Sequence, residues 1–187
     1  PYELFDYGFR VLKQVRKTGA LIDWSREFVE SETFTDTQVV TLQLKNAQYW
    51  IQNQRIPHAL ETLEKLTERR VSRTRKIPLV YYQAVAEFNR GNLDRSLEIL
   101  ARVESDFDLS KDWKYRLYRT RAEVHLRAEN WNAAYRTWQQ LDNMKLGGEV
   151  GLRMLTGEAV EESPQKFRNV LRQLETRYSK KLPESEK

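Results

Sequence analysis

The chain has 187 residues, 40% hydrophobic and 32% charged, with 32 Lys and Arg against 27 Asp and Glu. Five Trp, nine Tyr and seven Phe require a packed interior and exclude a disordered tail. No run reaches the ~18 apolar residues of a membrane span, and the absence of cysteine excludes disulfides, thiolate zinc sites and a cysteine nucleophile.

Nearly every segment reads with the spacing of an amphipathic helix. Phe9, Leu12 and Val15 begin the series, and Thr18-Gly19 breaks it. Ala20, Leu21, Trp24 and Phe28 resume it until Ser31 to Asp36 interrupts. Val40, Leu44, Ala47 and Ile51 form a third stripe. Pro57 suits the first turn of the next helix, where its missing N–H matters little, and Ala59, Leu60, Leu63 and Leu66 follow. Val80, Ala84 and Phe88 lead to Gly91-Asn92, a turn with Asn92 placed as an N-cap. Leu93, Leu97, Leu100 and Val103 continue beyond it. Trp113, Leu117, Ala122 and Leu126 precede a second N-cap, Asn130, and Trp131, Ala134, Trp138 and Leu141 close the pair. No stretch alternates long enough for a strand. The pattern predicts an all-α chain.

The helices come in pairs, and the pairs repeat. Ala59, Ser96 and Ala134 stand early in three second helices, spaced by 37 and 38 positions, and Ala20 lies 39 before Ala59. A small residue there lets two helices approach closely. The run Ala84…Gly91-Asn92-Leu93…Ser96…Leu100…Val103 resembles the tetratricopeptide repeat. So does Ala122…Asn130-Trp131…Ala134…Trp138…Leu141, with Glu129 in place of the turn glycine. Ala47…Ile56…Ala59…Leu63…Leu66 resembles it with Gln54-Arg55 at the turn. The period exceeds the 34 of that family, and the family's proline near the end of the second helix has no counterpart here.

The resemblance implies a right-handed α-solenoid of stacked antiparallel helix pairs. The repeats would fill 1–143, as pairs 2–32, 37–70, 77–105 and 111–142, and capping helices would fill 144–180 before a polar tail at 181–187. Ser163-Pro164 reads as an N-cap with proline at the first helical position. Phe167, Val170, Leu171, Leu174 and Tyr178 then form the apolar stripe of a helix suited to close a stacked array. A membrane-surface helix is the second reading of this segment, opposed by Glu175 on its polar face. Val150 to Leu155 reads as a short helix after the Gly147-Gly148 break. Because the sequence begins with Pro1, a further N-terminal stretch is expected upstream, so a signal or anchor would lie there and the compartment stays open.

Catalytic parts are scarce. His58 and His125 are the two histidines, outside any metal-ligand spacing, and there is no phosphate-binding glycine loop. His125 reads as a packing residue and His58 as solvated. Neither an enzymatic activity nor a cofactor or metal site is expected. Charge is more telling: residues 68–136 carry a net +5, the value of the whole chain. Arg69, Arg70, Arg73, Arg75 and Lys76 are expected in a long solvated junction between the second and third pairs. Lys114, Arg116, Arg119, Arg121 and Arg127 are expected along one helix, partly paired with Asp112 and Glu123.

In the tetratricopeptide family the first helix of each pair lines a concave groove that grips a partner segment. The resemblance therefore implies groove positions Leu44, Gln48, Ile51 and Gln52; Tyr81, Val85, Phe88 and Asn89; and Arg116, Arg119, Glu123 and Arg127. The Asn/Lys carboxylate clamp of that family's chaperone-binding subclass is not matched. The function so implied is that of a non-catalytic adaptor or scaffold that binds an acidic protein segment, arginine being suited to carboxylates by its bidentate fork. Two alternatives stay open: a nucleic-acid-binding helical repeat, and a sensor or regulatory repeat segment of a larger protein.

Overall fold

The computed structural model describes residues 2–14, 18–30, 34–144, 151 and 164–178. Among these the secondary structure is α-helical, with no strand. The helices are α1 (Tyr2–Gln14), α2 (Thr18–Glu30), α3 (Asp36–Gln52), α4 (Ile56–Thr67), α5 (Arg73–Arg90), α6 (Leu93–Asp106), α7 (Lys111–Arg127), α8 (Trp131–Asn143) and α9 (Pro164–Tyr178). The chain is all-α, as its periodicity predicts. Its packing divides it into two units, Pro1–Ile99 and Leu100–Lys187.

One local design recurs three times. The longer helices α3, α5 and α7 follow Thr35, Ser72 and Ser110, each in extended backbone conformation. The side chains of Thr35 and Ser110 accept from the N–H groups of Gln38 and Trp113, satisfying donors that a helix start leaves unpaired. Each of these helices ends in a residue of left-handed conformation: Gln54 (φ 57°), Gly91 (φ 96°) and Glu129 (φ 55°). The next N–H in each case reaches back five residues, from Arg55 to Trp50 (2.8 Å), Asn92 to Glu87 (2.9 Å) and Asn130 to His125 (2.9 Å). That bond closes the helix end and reverses the chain. The intervals Thr35 to Gln54, Ser72 to Gly91 and Ser110 to Glu129 are each 19 positions. The one-residue difference between the 37 and 38 spacings therefore lies in the stretch from the turn through the second helix to the next cap.

The sequence expectation for α5 needs correction. The expected pair starts at 77, whereas α5 starts at Arg73 and carries Pro78 inside it. Ser72 sets the start, and the charged turn Arg73-Thr74-Arg75-Lys76 is helical rather than a loop. Only Arg69 and Arg70 of that basic run stay in the connection. Arg69 lies 3.4 Å from Asp36 and Arg75 donates to Thr41 Oγ1 at 3.1 Å.

In the first unit α3 is buried on two sides. Val39, Leu42 and Tyr49 pack with Phe9 of α1 and Leu21 of α2, while Val40, Leu44 and Ala47 pack with Leu63 of α4 and Leu79 of α5. The repeat does not extend to α2 through Ala20, which is exposed, and Leu21 is buried in its place. The close approach in this pair is made on the opposite helix. A Cβ at Gly8 would lie 2.5 Å from Trp24 Cζ2, so the indole of α2 fills the space of the missing side chain on α1.

In the second unit Ala122 of α7 and Ala134, Trp138 and Leu141 of α8 form a buried cluster, joined by Val170 of α9. That places α9 on the α7–α8 pair. Leu171, expected in the same contact, is 38% exposed, because it follows Val170 by one position and turns away by about 100°. The side chains of Phe167, Leu174 and Tyr178, the 150–155 segment apart from Gly151, and the 181–187 tail lie outside the described residues.

Candidate interaction surface

Helix α7 buries Leu117, Ala122 and Val124 and leaves Lys111, Asp112, Lys114, Arg116 and Arg127 exposed. Two of its side chains meet one residue of α6. Tyr118 donates to Glu104 Oε1 at 2.8 Å, and Arg121 Nη2 lies 2.7 Å from Glu104 Oε2. The Arg121 guanidinium also lies over the Tyr118 ring, 5.7 Å from its centroid. Burial pushes the Glu104 carboxyl up. The hydrogen bonds from Tyr118 and Arg121 and the charges of Arg121 and Lys114 outweigh it and hold the carboxyl below its ordinary value. Tyr118 is shifted the other way, by burial and by the hydrogen bond and charge of Glu104, against the charge of Arg121. His125, half-buried on the same helix, is lowered by burial and by Arg121, and its Nδ1 has no hydrogen-bond partner among the described residues. These groups join α6 to α7 through a carboxylate that two donors share.

The groove positions implied by the family resemblance fall in different settings. Leu44 and Tyr81 are 8% and 9% exposed and belong to the interior, so they have little surface to offer a partner. Gln48, Ile51, Val85 and Phe88 are half-buried, and Gln52 is exposed. Asn89 is exposed, with its amide donating to the Val85 carbonyl at 2.7 Å. Arg116 is exposed and lies over Trp113, 5.5 Å from the ring centroid. Arg119, Glu123 and Arg127 each have interactions within the chain. Leu44 to Asn89 belong to the first unit and the arginines to the second.

The pairing expected for Arg121 is corrected as well. Its carboxylate is Glu104 of α6, 17 positions away, rather than Asp112 or Glu123 of its own helix. Sequence reading missed Glu104 and Tyr118, whose meeting depends on how α6 and α7 pack. It also missed Trp113 as a platform, although the spacing was readable: Trp113/Arg116 and Tyr118/Arg121 both place an arginine three positions after an aromatic, on one helix face.

Among the described residues no helix is long and apolar enough to cross a membrane, and no three His, Asp or Glu residues gather as a metal site would require. Comparison with family models, with curated proteins and with solved structures returned no match.

Proposed function

We propose that this chain is a non-catalytic protein-interaction module, a tetratricopeptide-like array stacked as a right-handed solenoid, that holds an acidic partner segment on the first helices of its pairs. The observation that supports it is the thrice-repeated cap, 19-residue interval and left-handed turn, with Ala59, Ser96 and Ala134 fully buried at equivalent places. Repeats of this kind leave one surface of each unit free of packing duties and rarely carry chemistry of their own. The positive charge of α7 favours an acidic partner over a basic one.

The test is capture of partners from the native cell by the tagged chain, read by mass spectrometry, with the parent and with Arg116→Glu/Arg119→Glu compared. Specific partners lost on charge reversal, with circular dichroism unchanged, support the reading. Partners retained unchanged would move the interaction off α7.

A second reading, nucleic-acid binding, is supported by the exposed Arg70 before α5 and the exposed Arg73 and Lys76 in its first turn. Against it, that run contains no Phe, Tyr or Trp to stack a base. A salt titration with single-stranded RNA separates the two, since phosphate contacts make affinity fall steeply with salt.

A further inference from the structure

Helix α7 carries one side-chain arrangement twice. Tyr118 with Arg121 and Trp113 with Arg116 each place a guanidinium over an aromatic ring three positions earlier, at 5.7 and 5.5 Å from the centroid. The first pair is occupied: its arginine and hydroxyl hold the Glu104 carboxylate. In the second pair Trp113 is half-buried and the guanidinium lies at the surface. Arg116 is exposed and makes no ion pair among the described residues.

We propose that Trp113 and Arg116 form a docking site for an aspartate or glutamate side chain of an acidic partner peptide, built as Tyr118 and Arg121 are built around Glu104. This rests on the reading of the chain as an interaction module and names the chemistry its partner presents. A ring beneath the guanidinium fixes the plane of the fork and removes rotamer freedom before binding, while the edge N–H groups stay available for a carboxylate. Lys111 and Lys114 are exposed one turn or less away, and Asp112 is the single acid between Ser110 and Tyr118. Within this stretch of α7 Lys111, Lys114 and Arg116 stand against Asp112, a balance that favours a segment with more than one carboxylate.

The experiment is a titration of the intact, 15N-labelled chain with an N-acetylated, C-amidated hexaglutamate, so that only side-chain carboxylates are offered. The expected result is saturable shifts at the Arg116 Nε–H, the Trp113 indole N–H and the backbone amides of 113–116. Arg116→Gln is expected to weaken binding about five-fold or more, and Arg116→Lys to restore little because it keeps the charge and loses the fork. Arg116 is at the surface, and an otherwise unchanged spectrum verifies the fold of each variant. Shifts that map elsewhere and ignore Arg116→Gln would overturn this site and leave the interaction-module reading standing. Absence of shifts at 113–116 overturns it equally. Tighter binding of hexauridylate at the same resonances would replace the peptide by nucleic acid, and would overturn both readings.

Discussion

The Ser96 hydroxyl donates to the Ala84 carbonyl at 2.8 Å, and both residues have no exposed surface. They stand 12 positions apart, as do Ala47 and Ala59, and Ala122 and Ala134, and all six are fully buried. A small residue on each helix lets the backbones approach, and only the middle pair adds a hydrogen bond.

Ala134→Leu should therefore cost about 1–3 kcal/mol by overpacking. Ser96→Ala should cost no more than about 1 kcal/mol, since the Ala84 carbonyl keeps its helical surroundings. Thermal melts check both. An Ala134→Leu protein that melted with the parent would refute the register of the repeat.

The three turns give a prediction of opposite sign. Gln54 and Glu129 hold a left-handed conformation that costs a residue with a Cβ about 1 kcal/mol. Gln54→Gly and Glu129→Gly should each stabilise by up to that amount. Gly91→Ala should destabilise by a similar amount through the backbone alone, because a Cβ there meets nothing within 4 Å. Denaturant midpoints measure all three.

Acid should act first through His125. Its value lies below the ordinary 6.5 because burial and Arg121 disfavour the charged ring. The unfolded chain then binds more protons than the folded one, so stability is present above about pH 6.5 and is lost as pH falls through the lowered value. His125→Gln should flatten the stability profile in that window. Glu104 acts lower: its contribution is present above its ordinary 4.5 and is lost as pH falls through the depressed value. Glu104→Gln should remove that second phase. Urea unfolding followed across pH distinguishes the two.

Val170 is 1% exposed against the α7–α8 cluster. Truncation after Glu162 should uncover Ala122, Trp138 and Leu141, lower stability and promote self-association. Sedimentation velocity reads the second effect. A truncated chain that stayed monomeric and equally stable would show that α9 does not cover this face.

Much of the fold was legible because helix periodicity, Pro57 at a first turn and the recurring small residues are local signals. The failures share a cause. The start of α5 after Ser72 falls in the charged turn Arg73 to Lys76, which carries no apolar spacing to mark it. The close approach of α1 and α2 is made by Trp24 against Gly8 rather than at Ala20, and the Glu104 network depends on two helices meeting. These contacts are set by packing, which spacing along one helix does not encode. The surface was less legible for the same reason: Leu44 and Tyr81 carry the right residue types and lie in the interior.

The invariant 19-residue interval governs how this chain can change in length. One residue inserted inside it would advance helical phase by about 100°, carrying every later side chain on that helix out of register with its neighbours and moving the left-handed residue off its turn. A residue added between the end of α4 or α6 and the following cap changes no phase within the next helix. Within 68–72 and 107–110 the exposed Glu68, Arg70 and Asp108, rather than the buried Val71 and Leu109, therefore mark where a homologous chain can gain or lose residues and where a reporter peptide can be spliced in, with each cap-to-turn interval left whole.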